Sequence, residues 1–106
     1  MNDRIQERAL ETWAEIHIDD TDERCHAFIG LVGEAAEALD LYKKGVYLGK
    51  KVAAEEYLEE LGDVLYYLAI CASLFDINLE ELSQMNYHKL KERHGDSFKT
   101  WEDQRR

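Results

Sequence analysis

Two acidic pairs hold the positions at which this sequence could do chemistry: Glu34 and Glu37 in LVGEAAEALDLY, and Glu60 and Asp63 in YLEELGDVLYYL. Each pair is spaced i, i+3, so on a helix its two carboxylates share one face. Ala27, Gly30, Leu31, Ala38 and Leu41 fall on the stripe of the first pair; Ala53, Tyr57, Val64, Tyr67 and Cys71 fall on the stripe of the second. The acids therefore interrupt the side that each helix should bury, where an uncompensated carboxylate is costly. Four such groups converging between two helices repel one another, and a divalent cation is the natural remedy. All-oxygen ligands point to magnesium, with manganese as a substitute. The opposing reading is that Glu is common on helices and mostly faces water. The apolar run around Glu60 and Asp63 weighs against it. Glu56, one turn before Glu60, and Asp40, three residues after Glu37, are either supporting groups or solvated neighbours, and the pattern leaves both open.

Helices must position these acids, and the pattern supplies four in a single domain spanning 1–106, with a helical core over 1–95 and a C-terminal tail over 96–106. The first is expected from about Asn2 to His17, with Ile5, Ala9, Leu10, Trp13 and Ile16 as its apolar stripe. Asp20 with Glu23 resembles a capping box opening the second helix. That helix carries Phe28, Leu31, Val32, Ala35, Leu39 and Tyr42, and should close near Gly45 with Lys43 and Lys44 suiting its C-terminal dipole. Gly45 to Lys50 reads as a loop. The third helix, about Val52 to Phe75, is the most apolar, which predicts cover on most sides by other helices or another subunit. Asn78 with Glu81 makes a second capping box, and the fourth helix runs from Leu79 to about His94 with Gly95 as C-cap. Phe98 and Trp101 in the tail could dock. Gly30, Gly33 and Gly62 fall inside helical patterns beside the acids, where a missing side chain permits close approach.

With 23 acidic and 13 basic residues the formal charge is -10. That balance argues against nucleic-acid polymers, whose binding rests on Lys and Arg neutralising phosphates. It leaves room for a small anion that carries its own metal. No stretch approaches the ~20 apolar residues of a membrane span. No signal-peptide pattern precedes the first amphipathic segment, so a cytoplasmic location is expected. Cys25 and Cys71 lack metal-ligand spacing and read as reduced packing thiols. Four short helices bury limited surface, which predicts a homodimer or a homotetramer built as a dimer of dimers.

Gly33-Glu34-Ala35-Ala36-Glu37, followed after a helix–loop interval by Glu60-Leu61-Gly62-Asp63, resembles the paired motif of the MazG-like all-α nucleoside triphosphate pyrophosphohydrolases. That family's pattern is EExxE then ExxD, its four inner carboxylates binding magnesium. Glu34, Glu37, Glu60 and Asp63 match, whereas Gly33 stands in place of the leading acid. The resemblance covers roughly Ala27 to Arg93 and implies a four-helix bundle assembled by helix packing between subunits. It also implies Mg2+-dependent hydrolysis of a (d)NTP to the monophosphate and pyrophosphate, with deoxynucleotides favoured in a pool-cleaning role. Glu37 is the expected general base.

Asn86, Lys89 and Arg93 lie at i, i+3, i+7 on one face, where two cations and an amide could bind phosphate oxygens and a sugar hydroxyl. Without the resemblance they read equally as a solvated basic face; with it, they match an Asn-x-x-Lys-Leu-x-x-Arg run that many MazG-like chains carry. Tyr67, one turn beyond Asp63, could touch the nucleotide, and Trp13 and Phe28 could wall a base or sugar pocket. Core packing is the commoner fate of such aromatics. Only His26 forms a Glu-x-x-His, with Glu23, too little for a di-iron bundle site. Within the superfamily, dUTP or dCTP hydrolysis and phosphoribosyl-ATP pyrophosphohydrolysis are alternatives. A non-catalytic helical nucleotide- or metal-binding or assembly module is the alternative from another class, and the retention of acids at all four ligand positions stands against it.

Overall fold

The computed structural model describes residues 1–16 and 22–94. Every regular element among them is helical: α1 (Arg4–Ile16), α2 (Glu23–Tyr47), α3 (Ala54–Leu74) and α4 (Leu79–His94). The fold is all-α, as expected. The long helices α2 and α3 form an antiparallel hairpin, α1 packs against α3, and α4 is attached at the far end of α3.

Local chemistry sets the boundaries. Asp3 caps α1, which opens at Arg4, two residues later than the periodicity predicts; it accepts the Gln6 backbone N–H at 3.1 Å while the Gln6 side chain accepts the Asp3 N–H at 2.9 Å. The second Asp3 oxygen accepts the Leu79 N–H at 2.9 Å, so one carboxylate caps both α1 and α4. The buried stripe of α1 is consequently Gln6, Ala9 and Trp13, with Ile5 and Ile16 exposed. Gln6 tolerates full burial because its amide donates to the Ile77 carbonyl at 2.8 Å, in the turn before α4.

Asp22 caps α2, accepting the Arg24 N–H at 3.0 Å; the expected cap at Asp20 lies outside the described residues. Contrary to expectation, α2 does not close at Gly45 but continues to Tyr47, and the reversal falls at Gly49, whose φ of 68° is left-handed. Glu56 accepts the Ala53 N–H at 2.9 Å, which occupies it at the start of α3. The capping box before α4 forms as predicted, Asn78 accepting from Glu81 at 2.7 Å and Glu81 from Asn78 at 3.3 Å. Gly95, Phe98 and Trp101 lie outside the described residues.

The core is small and sits where α1 crosses the hairpin: Ala9, Trp13, Ala27, Ala69, Ile70 and Cys71. Cys71 packs there as a free thiol, whereas Cys25 is free and exposed. Away from α1 the hairpin is open. Leu58 and Leu61 on α3 are exposed, so the cover expected around the most apolar helix is not supplied within one chain. No residue of α4 is buried. A groove of about 390 Å³ runs between the hairpin and α4, with Phe28, Leu31, Leu68, Phe75, Leu82 and Met85 in its walls. The radius of gyration, 16.9 Å, exceeds the ~13 Å of a close-packed chain this long. Among the described residues, no helix is long and apolar enough to cross a membrane.

Candidate active site

The antiparallel pairing of α2 and α3 brings their acids together. One carboxylate oxygen from each of Glu34, Glu37 and Glu60 lies within 4.8 Å of the other two. Glu34 and Glu60 are half-buried, Glu37 and Asp63 exposed. Oε2 of Glu34 and Oε2 of Glu60 are both shielded from solvent and have no hydrogen-bond partner among the described residues. Burial, followed by repulsion from Glu37 and Asp63, raises the pKa of both groups above 4.5. Asp63 thus belongs to the electrostatic neighbourhood without joining the set of three close oxygens.

Buried carboxylate oxygens without partners demand a proton or a cation. Among the described residues, the ion pair of Asp40 with Lys44 at 3.1 Å lies on exposed side chains of α2 and leaves these acids uncompensated. It also accounts for Asp40, which is engaged with its own helix. Hard oxygen donors grouped this closely fit a small divalent cation such as Mg2+ or Mn2+.

Tyr67 stands beside the acids with its ring against the backbone of Gly30, where α2 has no side chain. The rings of Trp13 and Tyr66 meet it edge-on, their centroids 6.4 and 5.1 Å away. Burial first, then Tyr66, Glu34 and Asp63, raise the pKa of the Tyr67 phenol, keeping it protonated. Trp13 is a backing residue: it is buried, its indole N–H donates to Glu23 at 2.9 Å, and the His26 ring lies tilted against it with centroids 4.7 Å apart. Glu23 and His26 both contact this tryptophan. Phe28 packs edge-on to Phe75, beneath which Arg24 adds a cation–π contact, and lines the apolar groove. Asn86, Lys89 and Arg93 are exposed on α4, and among the described residues no hydrogen bond or ion pair links them to the acids. A second tyrosine–glycine contact, the Tyr57 hydroxyl against Gly45, was missed because Gly45 reads as a helix terminator.

The family model of the MazG nucleotide pyrophosphohydrolase domain matches residues 25–98. The chain belongs to the MazG family. It is also similar to the Gene 37 protein of Mycobacterium phage L5, with 38% identity over 69 residues that cover 61% of this chain and 60% of that protein. The matched region thus spans under two thirds of the relative's length. No solved structure matches the chain significantly.

Within the MazG pattern, Gly33 is the departure. It is exposed, and a Cβ built there meets nothing within 4 Å. Its lack of a side chain therefore leaves no hole between α2 and α3, and Glu34, Glu37 and Glu60 still converge.

Proposed function

We propose that this MazG-family protein is a metal-dependent nucleoside triphosphate pyrophosphohydrolase that splits a (d)NTP and water into the monophosphate and pyrophosphate. Deoxynucleotides are favoured and the role is to clear unwanted nucleotides from the pool. The observation that carries this reading is the trio of carboxylate oxygens within 4.8 Å, two of whose residues present buried oxygens without partners. Glu34, Glu37, Glu60 and Asp63 would hold Mg2+, or Mn2+ in its place. A divalent cation bound there supplies neutralising charge for the triphosphate and a more acidic water.

Glu37, the most solvent-open of the close trio, is suited to accept the proton of the attacking water. The water oxygen bonds to the α-phosphorus, the bond from that phosphorus to the α–β bridging oxygen breaks, and pyrophosphate leaves with the electron pair. The protonated Tyr67 hydroxyl can donate to a nucleotide oxygen. Lys89 and Arg93 take phosphate charge, and Asn86 orients the sugar.

A second copy of the chain completes this arrangement in our reading. Phe28, Val32, Leu39, Tyr42 and Val46 are exposed at i, i+4, i+11, i+14 and i+18, a continuous stripe along α2. The adjoining groove has almost wholly apolar walls, which suit hydrocarbon side chains and could not read the hydrogen-bonding edge of a nucleobase. Two such faces related by a two-fold axis cover each other. The basic end of α4 (Lys91, Arg93 and His94 in its last turn) is the matching charge for an acidic neighbour.

Pyrophosphate release from a panel of NTPs and dNTPs, with Mg2+ and with EDTA, tests the reaction. Mg2+-dependent release with monophosphate as co-product is the expected result. Diphosphate as product, or release that survives EDTA, would overturn it.

A further inference from the structure

We propose that Tyr67, seated in the notch that Gly30 leaves in α2, is a positioning residue that sets the separation of α2 and α3 at the acidic cluster. The inference rests on the reading of that cluster as a metal site. A Cβ at Gly30 would fall on Cδ1, Cε1 and Cζ of the Tyr67 ring, so the ring lies directly on the α2 backbone. Glycine weakens a helix interior relative to alanine, and this contact is what the glycine permits.

The contact adjoins the acids in both helices. Gly30 lies one turn before Glu34, and Tyr67 one turn after Asp63, on the stripes those acids occupy. The ring is held from behind by the edge-on Trp13, itself anchored through Glu23. A second contact of the same kind brackets the acids from the other side: the Tyr57 hydroxyl stands 2.5 Å from where a Cβ at Gly45 would lie. Two other glycines near the acids behave differently. Added methyl groups at Gly33 and Gly62 would meet nothing within 4 Å. Close approach is thus built at the tyrosines rather than wherever a glycine occurs. Oxygen ligands on two separate helices keep a shared geometry only while the helix separation holds, and metal affinity is sensitive to such supporting contacts.

The test is Mn2+ titration of the full chain by calorimetry, with circular dichroism and melting curves on each variant. Gly30→Ala is expected to weaken Mn2+ binding about tenfold or more, and Gly30→Ala/Tyr67→Leu, which makes room for the methyl, to recover most of it. Tyr67→Phe keeps the ring and should bind as wild type, as should Gly62→Ala. A folded Gly30→Ala that binds Mn2+ normally, or a double variant weaker than Gly30→Ala, overturns the proposal. Should Gly30→Ala fail to fold, Tyr67→Ala against Tyr67→Phe decides: weaker binding by the alanine variant alone supports positioning, and equal binding refutes it. Wild-type protein that binds no Mn2+ would instead sink the metal-site reading, and this inference with it.

Discussion

The α2–α3 hairpin and α4 carry the two halves of one proposed site, and the molecule holds them in opposite ways. The hairpin is pinned along its length by tyrosines set into glycine notches, and its acids meet across the interface. Helix α4 is capped by Asn78 and Asp3 at its start, rests on the core through Leu79 and on the groove through Leu82 and Met85, and has no fully buried residue. Repelling charges need a rigid frame to stay together. Cations that meet a mobile, hydrated triphosphate need no such frame in the free protein. The contrast also separates stability from function, since Glu34 and Glu60 sit where burial and like charge work against the metal-free fold.

The sharpest break in that comparison comes from the acids. Glu37→Gln should lower kcat by about 10²–10⁴-fold if it is the base. Glu60→Gln should abolish Mn2+ binding and yet raise the metal-free melting temperature, because it removes a repelled charge. A lowered melting temperature would mean that the carboxylate is structurally satisfied. For α4, Lys89→Ala and Arg93→Ala should each cost roughly 10- to 100-fold in kcat/KM, the worth of a charge-assisted hydrogen bond. Neither should change Mn2+ affinity. Mixing Lys89→Ala with Glu60→Gln protein should restore part of the activity where α4 serves the partner's acids, and none where it serves its own.

Leu39→Asp, on the exposed stripe of α2, should shift the mass measured by light scattering to that of the monomer. Asp3→Ala removes a cap from two helices at once and should cost about 1–2 kcal/mol in a denaturant melt, with α4 amides losing exchange protection first. The smallest effect is that of pH. A carboxyl whose pKa is raised in the folded state keeps a proton that the unfolded chain has lost. Metal-free stability should therefore fall as pH rises from about 4.5 through the raised values of Glu34 and Glu60, and saturating Mg2+ should reverse the fall at neutral pH.

The acidic stripes were legible in the chain because helical periodicity is a local property. Ala27, Leu31, Ala38 and Leu41 do fall on the covered side of α2, and Val64, Tyr67 and Cys71 on that of α3, as their spacing from the acids requires. The Asn78–Glu81 cap was legible for the same reason, both partners lying within one turn. The end of α2 was not. Gly45 is a helix stop by propensity, but here it is spent on contact with Tyr57, a residue in the next helix.

Residue types and spacing were enough to name four helices, the two acidic pairs and the metal chemistry they suit, since each depends on neighbours within about one turn. Which aromatics stand near those acids depended on distant parts of the chain. Trp13 meets Tyr67 edge-on and donates to Glu23, and Phe28 packs against Phe75, pairings that only the packing of α1, α2 and α3 creates. The same holds for α4. Its basic face can be read from the sequence, but its distance from the acids is set by how few side chains fasten that helix to the hairpin.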